Sequence, residues 1–136
     1  MAEHRARCQC GGLRVHASAD PDVVVACNCQ ACQHRTGAAF GVGAYFRKDV
    51  VTISGSASIW ARTAETGRAL QHHFCPTCGT TVYWTLEMRP DHIGVGTGAF
   101  EGPPPTPDRA IWTDEKHDWM IFPSDMPDFP KATPGT

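Results

Sequence analysis

Short runs of apolar and β-branched residues, broken at frequent intervals by glycine, proline, serine and aspartate, make up most of this chain. The clearest runs cover residues 22–26, 50–53, 80–86 and 92–96. Seven or eight such runs follow one another every eight to twelve residues or so, and no amphipathic helix of convincing length interrupts them. The pattern therefore predicts an all-β fold built from short strands.

The last part of the chain has a different pattern. Eight of the eleven prolines lie in residues 101–136. Because proline cannot donate to a sheet ladder, we expect an extended, irregular segment there. Its apolar stretches at 111–112 and 119–122 predict packing along the β core. We accordingly divide the chain into a domain over residues 4–120 and a proline-rich tail over 121–136, packed on that domain or loosely attached to it.

Charge excludes two classes of partner. Twelve Lys and Arg residues against fourteen Asp and Glu residues give a net charge of −2, with no basic run. Binding to nucleic acid or to an anionic membrane surface then lacks an electrostatic basis. No segment approaches the ~20 apolar residues of a membrane span, and residues 1–5 lack the apolar core of a signal peptide. We expect a cytoplasmic protein that binds neither nucleic acid nor membrane.

The seven cysteines fall into three groups, and none stands alone. The groups are Cys8 and Cys10; Cys27, Cys29 and Cys32; and Cys75 and Cys78. Cytosolic proteins rarely form disulfides, so grouped thiols favour metal binding. A thioredoxin-type redox pair expects a βαβ context and leaves the other five thiols without a role. The spacing therefore predicts metal sites.

Two of the groups combine into one closed site. Cys75 and Cys78, followed by Gly79, have the spacing of a zinc knuckle, which supplies two ligands. A tetrahedral structural site needs two more, and Cys8 and Cys10 provide them. Zinc binding of about 10–16 kcal/mol in small peptides is ample to stabilise a domain with a thin core.

The remaining group, Cys27, Cys29 and Cys32, has three ligands and an exchangeable fourth position, which is the pattern of catalytic zinc. On the strand predicted before it, Cys27 and Cys29 point to the same side, and Cys32 returns from the turn that ends the strand. A thiol bound there would ionise near neutral pH and could add to an aldehyde, or leave in the reverse cleavage. We assign these cysteines as catalytic and expect two zinc ions per chain.

Histidines offer an alternative for the fourth position. His34 could close the site as a structural one, although a single residue between it and Cys32 makes joint ligation strained. His16, His72 and His73 could do so from a distance. All-thiolate tetrahedral sites also accept iron, so the metal itself stays open.

Other side chains have weaker signals. We expect Phe40, Tyr83 and Trp84 in the core rather than on a ligand pocket. Arg35 and Lys48 could receive a substrate carboxylate, although a solvated surface position is the ordinary role of such residues.

The cysteine motifs together resemble those of a known family. They are Cys8-x-Cys10-Gly11; Cys27-x-Cys29-x-x-Cys32 with Thr36-Gly37; and Phe74-Cys75-x-x-Cys78-Gly79. Over roughly residues 4–120 the chain is similar to the glutathione-dependent formaldehyde-activating enzyme family, which includes centromere protein V-like proteins. The regions around Trp112 and Trp119 also look like the family's C-terminal segment.

The resemblance implies a β-tent fold of short antiparallel strands, a structural zinc on the four-cysteine set and a second zinc on the three-cysteine set. It also implies a carbon–sulfur lyase that condenses glutathione with formaldehyde to S-hydroxymethylglutathione, and the reverse. The expected partner is thus a small thiol–aldehyde adduct. The alternative is a non-catalytic zinc module for protein interaction, suggested by the tryptophans of the tail. A chromatin role like that of centromere protein V is disfavoured by the acidic balance.

Overall fold

The computed structural model describes residues 3–134, which form ten strands and one α-helix. The strands are β1 (His4–Arg7), β2 (Arg14–Ala17), β3 (Val23–Cys27), β4 (Gly41–Arg47), β5 (Val51–Ser54), β6 (Ser58–Thr63), β7 (Ala69–Phe74), β8 (Thr81–Leu86), β9 (Arg89–Gly96) and β10 (Arg109–Ile111). The helix is α1 (Gln30–Thr36), and 3-10 turns cover Lys48–Val50, Thr97–Ala99 and Thr113–Glu115.

The strands form two sheets, which confirms the all-β prediction. The smaller sheet has the order β1-β2-β5, and the larger has the order β10-β3-β4-β9-β8-β7-β6. All neighbours are antiparallel except β10, which runs parallel to β3. The expectation of seven or eight strands was too low, because short strands such as β1 and β10 lie outside the clear apolar runs.

The core lies where the two sheets pack on each other. Its largest fully buried apolar side chains are Leu13, Phe46, Val82 and Val95, and Val15 of β2 joins them. Three successive residues of β8, Val82–Trp84, are buried, so both faces of this strand are covered. Tyr83 and Trp84 are therefore core residues, as expected. Phe40 is half-buried, with its ring 5.3 Å from that of Phe122.

The proline-rich segment is tied to the edge of the larger sheet. Ala110 of β10 donates its N–H to the Pro127 carbonyl and accepts from the Phe129 N–H, both at 3.0 Å. Trp119 and Ile121, by contrast, are exposed. The boundary between residues 120 and 121 stays a prediction, and residues 135 and 136 of the tail lie outside the described part.

Among residues 3–134, α1 is the longest helix, and no helix is long and apolar enough to cross a membrane.

Candidate metal centres and the adjoining cavity

Four cysteines from two distant turns meet at one point. Cys8 and Cys10 lie in the turn between β1 and β2, and Cys75 and Cys78 lie in the turn between β7 and β8. Their sulfurs all lie within 4.8 Å of one another. Cys10 Sγ is 3.6 Å from both Cys8 Sγ and Cys75 Sγ. Zn–S bonds of ~2.3 Å place sulfurs about 3.8 Å apart in a tetrahedron, so this set fits zinc.

The sequence of residues 8–16 predicts a first strand that carries Cys8 and Cys10 on one face, but neither cysteine lies on a strand. β1 ends at Arg7, and the chain folds back through a tight turn in which Gly11 adopts a φ of 81° and donates its N–H to the Cys8 carbonyl. That turn brings the Leu13 N–H to 3.2 Å from Cys8 Sγ. An amide donor of this kind stabilises a thiolate.

The second turn supplies similar donors. The Thr77 N–H donates to Cys75 Sγ at 3.4 Å, and Gly79, with a φ of 79°, donates to the Cys75 carbonyl. A hydrogen bond from the Thr80 hydroxyl, 3.3 Å away, lowers the pKa of Cys78 to about 5. This turn and its hydrogen bonds are compatible with a zinc knuckle, which stays a prediction.

The second cluster lies where β3 passes into α1. Cys27 is the last residue of β3, Cys29 is the N-cap of α1, and Cys32 lies in its first turn rather than on a returning loop. The Cys27 and Cys29 sulfurs are 3.3 Å apart, and Cys29 Sγ accepts the Cys32 N–H at 3.4 Å. Hydrogen bonds from Cys27 and Cys32 lower the pKa of Cys29. The three sulfurs lie within 4.8 Å of one another, a spacing that also fits zinc.

No histidine or carboxylate from residues 3–134 completes this second set. His34 is exposed on α1. His16 lies beside Glu3, and the His73 ring stacks on Tyr83 with centroids 4.4 Å apart. The structure therefore brings together three protein ligands here and four in the other cluster. That each cluster binds a metal ion, and that the metal is zinc, stay predictions.

Asn28, between two of these cysteines, is a residue that sequence reasoning missed. It is fully buried, and both its backbone N–H and its Nδ2 donate to the Ile111 carbonyl, at 3.1 and 2.9 Å. The backbone carbonyl of Asn28 accepts a hydrogen bond from Gln33 Nε2 at 2.8 Å. These bonds fix the cysteine loop against β10. The only signal in the sequence was a polar residue placed between two candidate ligands.

The three-cysteine cluster forms part of the wall of a cavity of about 400 Å³. The indole of Trp84 lies across Gly43 and Gly94, and its Nε1 donates to the Tyr45 hydroxyl at 3.1 Å. Both aromatic side chains line the cavity, so Trp84 is at once a core residue and a wall residue. Burial raises the pKa of Tyr45 to about 12, and its phenol is neutral at physiological pH.

Charged and titratable groups line the same cavity. The guanidinium of Arg35 lies 4.3 Å from the centre of the Trp84 ring, whereas Lys48 is exposed and is not part of the wall. Burial, helped by the positive charges of Arg62 and Arg35, lowers the pKa of His72 to about 4. The imidazole is therefore neutral at pH 7.

The two sheets and the two thiol clusters define a small all-β protein whose cysteine sets are suited to binding metal ions. The sequence profile described as glutathione-dependent formaldehyde-activating enzyme matches residues 3–115, and the chain belongs to that family. The resemblance inferred from the cysteine motifs is thus confirmed.

A solved structure shows the same fold. The crystal structure of a Rhodobacter sphaeroides protein, a Northeast Structural Genomics target, is similar with a TM-score of 0.56 and 21% identity. The similarity covers 74% of this chain and 91% of that one. At this identity the likeness concerns the architecture alone.

Proposed function

We propose that this protein is a zinc-dependent carbon–sulfur lyase that forms and cleaves the glutathione adduct of a small aldehyde, S-hydroxymethylglutathione being the model case. The observation that carries the proposal is the three-cysteine cluster, which lacks a fourth protein ligand among residues 3–134 and lines a cavity of about 400 Å³. A cavity of this size suits a small organic ligand. Membership of the family supports glutathione and formaldehyde as reactants.

In this proposal the two cysteine sets have different tasks. Cys8, Cys10, Cys75 and Cys78 hold a structural zinc, and Cys27, Cys29 and Cys32 hold a second one. A zinc ion on three sulfurs would supply a vertex for a thiol and lower the pKa of that thiol.

The rest of the cavity positions and shields the reactants. Addition forms one carbon–sulfur bond and breaks the π bond of the aldehyde carbonyl, and the proton lost from the thiol sulfur ends on the carbonyl oxygen. Cleavage reverses these changes. Trp84 and Tyr45 supply an apolar wall that limits the access of water. His72 is neutral at working pH, and with a pKa lowered to about 4 it is too weak a base to hold a proton there, so its ring serves as a neutral hydrogen-bonding group of the wall.

The test is the rate of exchange among glutathione, formaldehyde and their adduct, followed by NMR with zinc-loaded protein. We expect the wild type to accelerate exchange above the spontaneous rate and Cys29→Ser to abolish the acceleration. His34→Ala is the matched control, because this exposed side chain is outside the cluster; its rate should equal the wild type. A spontaneous rate with the wild type would refute the proposal.

A non-catalytic interaction module is the second candidate. The exposure of Trp119 and Ile121, 70% and 83% of their surface, favours it. The cavity beside the three-cysteine cluster weighs against it, because a purely structural metal site needs no such space. This candidate predicts that all three proteins in the exchange experiment behave alike.

A further inference from the structure

The wall of the cavity carries more positive charge than its own carboxylates balance. Four arginines line it, together with two glutamates. The arginines are Arg35, Arg62, Arg89 and Arg109, and the glutamates are Glu65 and Glu115. Within residues 3–134, Arg109 pairs with Asp108 at 2.9 Å, whereas the other three arginines have no carboxylate oxygen within 4.0 Å. The excess of cations faces the space where a substrate would lie.

Arg62 is the clearest of these unbalanced groups. It projects from β6 and is half-buried, and its Nε is shielded from solvent without a hydrogen-bond acceptor in the described chain. A shielded, charged N–H without an acceptor is costly, and native structures rarely leave one unpaired. Because Arg62 lines the cavity and is only half-buried, a ligand there can reach the exposed part of its side chain and supply the negative charge that the described chain does not.

Arg35 packs beside the cysteines and against Trp84. It lies one turn after Cys32 on α1, and its guanidinium stacks over the Trp84 ring. A Cβ at Gly41 would come within 2.5 Å of Arg35 Nη2, so the glycine makes room for this placement. Stacking occupies the face of a guanidinium and leaves the N–H groups on its edge free to donate.

We propose that Arg62 and Arg35 form an anion subsite that binds the carboxylates of the thiol substrate. Arginine is suited to this task because its planar fork matches a carboxylate with two parallel hydrogen bonds. The subsite would make the cavity selective for an anionic peptide thiol, such as glutathione, over a neutral thiol of similar size. This inference rests on the proposed function, because it assumes that the sulfur of the thiol substrate lies at Cys27, Cys29 and Cys32.

The competing role for these cations is to offset the negative charge of the three thiolates. The two roles differ in what the arginines should affect. A charge-balancing role changes metal retention and is indifferent to the carboxylates of a ligand, whereas an anion subsite changes the affinity for those carboxylates.

The probe is S-methylglutathione, compared with its diethyl ester, in calorimetric titration of the zinc-loaded protein. The methyl group blocks the thiol, so binding does not depend on turnover, and the ester removes both negative charges. For the wild type we expect the diacid to bind at least about tenfold more tightly than the diester, the effect of one charge-assisted hydrogen bond. In Arg62→Gln, the affinity for the diacid should fall close to the affinity for the diester.

Arg68→Gln is the matched control. Arg68 is exposed in the turn between β6 and β7 and does not line the cavity, yet the substitution removes the same charge. This variant should keep the wild-type ratio. Arg62→Lys, which keeps the charge but loses the planar fork, should give an intermediate ratio.

Equal affinities for diacid and diester in the wild type would overturn the subsite without reference to any variant. The subsite would also be overturned if Arg62→Gln lost zinc but kept the wild-type ratio of diacid affinity to diester affinity. If the ratio depends on Arg62 while aldehyde exchange is not accelerated, the subsite stands and the lyase proposal fails. If exchange is catalysed and the ratio is unity, the lyase proposal stands and the subsite fails.

Discussion

The two cysteine clusters are built from the same side chain but differ in their surroundings. The four-cysteine cluster joins the β1–β2 turn to the β7–β8 turn, and its sulfurs receive backbone N–H groups. The three-cysteine cluster joins one strand end to one helix start, and it opens on a cavity lined by Trp84 and Arg35. The first cluster brings together Cys10 and Cys75, which are 65 residues apart along the chain.

Under the proposed function, the same metal–thiolate chemistry would serve stability in one cluster and reactivity in the other. A metal enclosed by four sulfurs of the chain has no vertex for a ligand, so its free energy of binding goes into folding. A metal held by three sulfurs keeps a vertex, and the residues around that vertex then decide what binds. Substitutions at the four-cysteine cluster, at the three-cysteine cluster and in the cavity should therefore have different effects.

The largest effect is expected from Cys75→Ser. If Cys75 is a ligand of a structural zinc, as proposed, its loss should cost more than about 4 kcal/mol in the free energy of unfolding, enough to unfold much of the chain at 37 °C. Cys29→Ser should lose one zinc and keep a cooperative thermal transition. Circular dichroism with zinc analysis checks both. A folded Cys75→Ser protein and an unfolded Cys29→Ser protein would reverse the comparison.

Gly43→Ala should disturb the packing of the cavity wall and leave the four-cysteine cluster unchanged. A Cβ at Gly43 would lie 2.6 Å from Trp84 Cζ2, so the indole must shift, at a cost of about 1–3 kcal/mol. Gly98→Ala is the control, since no atom lies within 4 Å of its added Cβ. Urea unfolding measures both. Equal stability of the two variants would show that Trp84 is loosely held.

Asn28→Ala should weaken the three-cysteine site without unfolding the protein. The loop between Cys27 and Cys29 loses its side-chain bond to Ile111, and outer contacts of this kind change metal affinity by about tenfold or more. Competition with a chromophoric chelator should show a lower zinc affinity at one site and an unchanged affinity at the other. Two unchanged affinities would mean that the bonds of Asn28 do not orient its neighbours.

The smallest effect concerns His72 and pH. Its pKa is lowered to about 4 by burial, so the unfolded chain, with a pKa near 6.5, takes up the proton first. As pH falls from 6.5 to 4, this group should therefore reduce stability, by about 1 kcal/mol after allowance for screening.

The measurement is the difference in unfolding free energy between the wild type and His72→Gln at each pH, which cancels the loss of metal common to both. As the pH falls, the wild type should lose more unfolding free energy than His72→Gln does. A difference that is independent of pH would show that His72 is equally protonated in both states.

The strands and the two cysteine sets were predictable because their signals are local. The β-branched and aromatic run at 80–86 and the Cys-x-x-Cys spacing each depend on a few neighbouring residues. The helix α1 was missed because none of its residues is buried, so it has no apolar periodicity. It is stabilised instead by the Cys29 N-cap and by Gly37, which ends it with a φ of 64°.

Other features depend on contacts between distant parts of the chain. Asn28 binds Ile111, eighty-three residues away, and three-residue β10 pairs in parallel with β3 within a proline-rich region. Arg62 is one arginine among several until the sheet places it on the cavity wall. No short sequence motif predicts the roles of these residues, because the roles depend on tertiary contacts.

The most direct test of the difference between the clusters is cobalt substitution followed by glutathione titration. Cobalt(II) bound to thiolates has visible bands that report its ligands, and Cys29→Ser identifies the bands of the three-cysteine site by their loss. We predict two cobalt ions per chain, with glutathione changing only the bands that Cys29→Ser removes. A spectrum indifferent to glutathione, or one in which both sets of bands change alike, would contradict the account of one closed and one open cluster.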